Sequence, residues 1–268
     1  MRHTHKISKY IKMKRVGLGS LAFPSSLSND GACSSGTGSN ESYERTPFVE
    51  PSPARATRKP ALKQAKTNRG HSVFGNIVVY HESGLEQRVS SLLRTYRNIK
   101  TLMSQYPRVE YFDDEGIRHQ HTFDYFVELT DGTRIGVAVK PSRKRDEMKD
   151  LLKRIRDNGI TGVGTGGRRT TAVVDAIILV TEHEATYDLF ENTYFILMSR
   201  SHHDDAEVRQ LRNVLEKMPG QVRFGHLLLD CSSRRTRRTA IWRLIDLGFL
   251  QPVNLGRIDE LSWLRAAQ

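Results

Sequence analysis

Residues 121–141 constrain the chain more than any other stretch. His121-Thr122-Phe123-Asp124-Tyr125-Phe126-Val127 and Gly136-Val137-Ala138-Val139-Lys140-Pro141 flank an Asp131-Gly132 turn. Apolar, β-favouring runs on either side of Asp-Gly predict an antiparallel hairpin, here with strands over 122–129 and 134–139. Two loop geometries are open. A two-residue loop pairs Thr130 with Thr133, sets Asp124 opposite Val139 and turns Lys140 to the other face. A three-residue loop, Thr130-Asp131-Gly132, pairs Leu129 with Thr133. Asp124 then faces Ala138, and Lys140 shares that face because side chains repeat every two residues.

Asp124 is an acid among aromatic and aliphatic neighbours in a central strand, so it needs a compensating partner or a cation. An acid entering one strand and a lysine leaving its hairpin partner form the skeleton of a metal-dependent nuclease site. The carboxylate holds a divalent cation that polarises the scissile phosphate and acidifies a water. The lysine positions that water or neutralises the developing charge. The plainer reading of Lys140 before Pro141 is the end of an edge strand.

Other segments extend the pattern. Glu82-Ser83-Gly84-Leu85-Glu86 opens a predicted helix over 83–97, and Leu179-Val180-Thr181-Glu182 is followed by Phe190-Glu191-Asn192. With the hairpin, these resemble the TnsA-type transposon endonucleases, which have the restriction-endonuclease-like PD-(D/E)xK fold. The likeness covers about 77–264. It implies a magnesium- or manganese-dependent endonuclease that nicks DNA at transposon ends, beside a DDE-type transposase subunit and an ATPase regulator. By resemblance, Glu86 matches the helix-one glutamate, Asp124 the metal-binding aspartate and Lys140 the catalytic lysine. Metal ligands would be Glu86, Asp124 and the backbone carbonyl of Val139. The chain departs from the pattern at Ala138, where the family has Glu or Gln. Glu128, on the same strand face as Asp124, lies toward the turn. A catalytically degenerate DNA-binding or assembly subunit is therefore the alternative, and a transcription regulator a third.

Glu86 has a second reading, because Ser83-x-x-Glu86 is a capping box. Gly162-Val163-Gly164-Thr165-Gly166-Gly167 has glycine spacing of a dinucleotide loop but follows a charged helix and precedes a strand, so a plain loop is expected. Its neighbours Arg168 and Arg169 are candidate DNA contacts, as are Arg234, Arg235, Arg237 and Arg238, which open a helix containing Trp242. A solvated basic turn is the alternative there. His202-His203-Asp204-Asp205 lacks the spacing for ligands on one helix face.

Charge sets the domain limits. The 268 residues carry 42 basic and 30 acidic groups, net +12, but 13 basic and only 4 acidic residues fall in 1–70. Residues 1–72 are therefore expected to be a basic, Ser-rich disordered tail. A nucleic-acid arm, a solvated extension and a transit peptide are open readings of it. Order is expected near Phe74, with a strand over 74–80, a strand over 108–112, a helix over 145–157 and a strand over 172–181. Residues 73–182 would form an α/β, mixed-sheet nuclease-like domain, and 183–268 a helical, winged-helix-like domain ending in a helix over 259–265. No apolar run is long enough for a membrane span. Two distant cysteines, Cys33 and Cys231, exclude a disulfide framework. The resemblance implies a cytoplasmic, nucleoid-associated bacterial protein, and no membrane contact or small-molecule cofactor is expected.

Overall fold

The computed structural model describes residues 50–53, 56–57, 68–158, 161–163, 169–218 and 220–266. Two strands, β1 (Gly70–Phe74) and β2 (Ile77–His81), form a hairpin and lead into helix α1 (Gly84–Thr95). Then come β3 (Ile99–Ser104), β4 (Arg108–Phe112), β5 (Arg118–Thr122), β6 (Tyr125–Leu129) and β7 (Arg134–Val139). Helix α2 (Arg145–Asp157), β8 (Thr161–Val163), β9 (Arg169–Ala172) and β10 (Ala176–Val180) complete the first half.

The central sheet has the order β10-β7-β6-β3. Its β3, β6 and β7 are antiparallel neighbours, and β10 joins β7 in parallel after the crossover through α2. Alternation along the strands divides the core. Tyr125, Val127, Ile135, Val137 and Val139 meet Val89 and Leu93 of α1. On the opposite face Phe126 and Ala138 meet Met148, Leu152 and Ile155 of α2. The fold is thus a mixed α/β layer structure.

The expected strand over 122–129 is broken at Phe123-Asp124. Below the break β5 pairs with β4, in a second sheet of order β5-β4-β8-β9; above it β6 pairs with β3 and β7. The chain changes sheets there, held by Phe123 N–H to Pro107 O (3.1 Å) and Gln105 N–H to Asp124 O (2.8 Å). The expected single strand over 74–80 is a hairpin, because Gly75 and Asn76 turn the chain with φ of 53° and 63°. Its β1 begins at Gly70, inside the stretch assigned to the tail. Ser52 and Thr57 of that stretch also bind the core, through Ser52 N–H to Asn76 O and Thr57 N–H to Gln105 O. Residues 1–49, 54–55 and 58–67 lie outside the described residues.

The second half contains α3 (Tyr187–His202), α4 (Asp205–Glu216), β11 (Gln221–Arg223), a 3-10 turn at Phe224–Leu228, α5 (Arg234–Leu247), β12 (Leu250–Pro252) and β13 (Trp263–Ala266). Its sheet has the order β11-β13-β12. Leu211, Leu215, Phe224, Ile241, Trp242, Leu244 and Leu264 share its core. Helix α5 ends at Gly248, φ 84°, as its position past the last apolar residue predicts. The helix expected over 259–265 is instead β13. Leu264 is buried between exposed Trp263 and Arg265, a period of two, and both edges of the strand are paired. Among the described residues no helix is long and apolar enough to cross a membrane.

Candidate active site

The β6–β7 loop has three residues. Leu129 N–H donates to Thr133 O (2.8 Å), and Gly132 takes φ 83°, the left-handed position this loop requires. The register runs from Glu128↔Arg134 to Tyr125↔Val137, so its continuation sets Asp124 opposite Ala138. Lys140 Nζ lies 3.8 Å from Asp124 Oδ2. The same oxygen accepts the Val139 N–H at 2.7 Å. Asp124 is 8% exposed, so the sheet-to-sheet break carries a nearly desolvated carboxylate, and the Val139 amide and the Lys140 ammonium are among the groups that offset its charge. These are the two side chains that chemistry of this kind needs together.

Lys140 is anchored on both sides. Its N–H donates to Val180 O (3.1 Å) across the parallel ladder. Two residues on, Ser142 donates its N–H (2.8 Å) and its hydroxyl to Glu182, beyond the end of β10.

Glu86 forms the capping box: its Oε2 accepts Glu82 N–H (2.8 Å), its Oε1 accepts the Ser83 hydroxyl (3.1 Å), and Ser83 Oγ accepts Glu86 N–H (3.2 Å). It also belongs to the site's electrostatics. Burial, and then the negative charge of Asp124, raise its pKa. Two carboxylates that disfavour each other's charge would both gain from a shared cation. Tyr125 ties helix to strand, donating its hydroxyl to Glu86 O (3.0 Å). Glu128 is held by Lys100 (2.8 Å) and Thr101 (3.1 Å) on β3.

Ala138 is 0% exposed and packed in the α2-side core. Among the described residues no group of three His, Cys, Asp or Glu side chains is placed to hold a metal ion. The Asp124 and Glu86 carboxylates with the Val139 carbonyl still suit a hard cation that keeps several waters and takes one or two carboxylates from the protein.

His121 was not singled out by the sequence, although it lies three residues before Asp124. Its ring stands edge-on to Phe123 at 5.0 Å, and its Nε2 is buried with no hydrogen-bond partner among the described residues. Burial first, and the Lys140 charge second, lower its pKa to about 4 from the ordinary 6.5. The folded state therefore disfavours protonation. The stability gained by keeping His121 neutral is present above pH 6.5 and is lost as the pH falls toward 4, about 3 kcal/mol in all. His121→Phe is expected to flatten that part of the stability–pH curve, measured by urea unfolding. An unchanged slope between those values would contradict this assignment.

The basic residues divide. Arg237 is 5% exposed, ion-paired to Glu207 and bonded to Leu227 O (3.3 Å). It braces α5 against α4 and the 3-10 turn and is not open to a phosphate, a correction to its reading as a DNA contact. Arg234 (3.3 Å) and Arg238 both pair with Glu260, on the loop between β12 and β13. Arg235 is exposed. Arg168 and the Arg169 side chain lie outside the described residues, as do residues 164–167 of the glycine run; β8 and β9 around it pair antiparallel, so no helix follows the loop. His203 binds Ser199 O (2.8 Å) and Asp205 (3.0 Å), while Asp204 caps α4.

If α5 meets DNA, Glu260 competes with the phosphates for Arg234 and Arg238. Glu260→Gln is expected to tighten binding to duplex DNA about 5-fold at low salt, two exposed ion pairs being involved, and to steepen the salt dependence. Fluorescence anisotropy over a salt series checks it; unchanged affinity would remove α5 from the interface.

Comparison with known proteins identifies no family: no protein-family model matches the chain, and no curated protein matches it.

Proposed function

We propose that the chain is a divalent-metal-dependent DNA endonuclease of the TnsA type, cleaving phosphodiester bonds at transposon ends. The observation that carries the reading is the Asp124–Lys140 pair, 3.8 Å apart at the junction of two sheets. The order α1-β3-β6-β7-α2-β10 supports it, since a mixed sheet with one helix on each face suits a restriction-endonuclease-like core. The α4-β11-α5-β12-β13 order and its three-stranded sheet likewise suit a winged-helix-like unit. A DDE-type transposase subunit and an ATPase regulator are the partners this reading calls for, and the bacterial nucleoid its location.

In this mechanism Asp124, Glu86 and the Val139 carbonyl would hold magnesium or manganese. The cation, when bound, polarises the scissile phosphate and acidifies a water. Lys140 brings its ammonium to the same face and neutralises charge that builds on the phosphate oxygens. Glu182 and Ser142 fix the backbone beyond Lys140, and Tyr125 fixes α1 against β6, so the acids and the lysine keep their spacing. Manganese-dependent nicking of supercoiled DNA tests the reading.

Ala138 favours a second reading, a DNA-binding or assembly subunit that retains the fold without catalysis. Its forecast is that Ala138→Glu binds manganese and the unsubstituted chain does not.

A further inference from the structure

We propose that the cavity bounded by the β1–β2 hairpin, α1 and α3 binds a small phosphate-bearing molecule with an apolar body. The inference is independent of the nuclease reading. The cavity has a volume of about 350 Å³, at the lower end of the range for small-molecule pockets. That suits one ring carrying one phosphate.

Three of the polar groups that line it bear on the ligand it would take. His81 is 6% exposed, and its Nδ1 is buried without a hydrogen-bond partner among the described residues. Ser72 lies on the same face of the hairpin, since Gly70 pairs with His81 and Ser72 with Val79; its Oγ is buried without a partner as well. Orphaned buried polar atoms are rare and cost stability unless a ligand or water meets them. The ring is seated by Gly70, where an added Cβ would stand 2.7 Å from His81 Nε2. Arg94 enters from α1.

Among the described residues no acid offsets the charge of Arg94. Burial first, and the Arg200 guanidinium second, lower its pKa. The carbonyl end of α1, which would otherwise favour this cation, is already taken: Arg200 donates to Arg94 O (2.9 Å) and Thr95 O (2.8 Å). Among the described residues no Asp or Glu lines the cavity. A cation beside two orphaned polar side chains, with no acid, suits an anion with several acceptor oxygens. On the α3 side Phe190, Leu197 and Met198, beside Thr193 and Tyr194, line the cavity and offer an apolar bed for the body of the molecule.

The test is calorimetric titration of phenyl phosphate, and separately of benzoate, into the full chain and into Arg94→Gln, Ser72→Ala and Asp124→Ala. Phenyl phosphate is expected to bind saturably, about 10-fold more weakly to Arg94→Gln, more weakly to Ser72→Ala, and with unchanged affinity to Asp124→Ala. Benzoate is expected to bind far less well than phenyl phosphate. Ser72→Ala removes one small hydroxyl, so it remains informative if Arg94→Gln fails to fold. Absence of saturable binding to the unsubstituted chain overturns the proposal. So does undiminished affinity in both Arg94→Gln and Ser72→Ala, or equal affinity for benzoate.

Discussion

Lys140→Ala is expected to nick DNA at least about 100-fold more slowly than the unsubstituted chain while still binding manganese. Removing one preorganised charge that faces a developing anion costs about 3–4 kcal/mol of transition-state stabilisation. The ammonium stands 3.8 Å from Asp124 Oδ2 and its side chain is one-third exposed. A side chain this exposed can turn from Asp124 toward an incoming phosphate. Metal affinity should hold or rise, because the lysine and the cation compete for the same oxygen. Single-turnover nicking together with manganese titration checks both halves. Loss of metal binding in Lys140→Ala would mean that the lysine builds the site, and an unchanged nicking rate would remove it from the chemistry.

Arg200→Ala is expected to have the largest effect on stability, about 2–4 kcal/mol by urea unfolding. One guanidinium joins the two halves of the chain. It donates to Arg94 O and Thr95 O at the end of α1, and to both oxygens of Asp246 on α5, at 2.7 and 3.0 Å. The Asp246 side chain is 1% exposed, and Arg243 (2.6 Å) would be left as its ion-pair partner among the described residues. Two helix-end carbonyls would also lose their donor. Arg200→Lys should recover little, since an ammonium lacks the planar fork that reaches four acceptors at once. A loss below about 1 kcal/mol would show that the halves are held by apolar contact alone, since exposed ion pairs contribute no more than this.

Much of the central architecture was legible because several local signals agreed. The Asp131-Gly132 turn and the apolar runs beside it mark the hairpin but permit either loop; only the need to bring Lys140 onto the face of Asp124 favours the three-residue loop, which is the one formed. Ser83 and Glu86 were legible as a capping box, which forms, and Glu86 has Asp124 as an electrostatic neighbour. The misses have physical causes. The break at Phe123-Asp124 could not be read because 122–129 is one continuous β-favouring run; only tertiary pairing sends its two ends to different sheets. Strand β3 (Ile99–Ser104) has too few alternating apolar residues to stand out. Helix α3 has apolar and polar residues on all sides because it packs on both α1 and α5. The final segment favoured helix by composition until the pairing of β13 with two neighbours decided otherwise. Arg237 resembled its basic neighbours in sequence, and Glu207, thirty residues away, turned it inward.

The central claim is that Asp124 and Glu86 still hold a divalent cation although Ala138 supplies no carboxylate. Calorimetric titration of manganese into the unsubstituted chain and into Asp124→Ala tests it most directly. The account predicts a saturable heat for the former and none for the latter. Equal heats from both, or no heat from either, would contradict it.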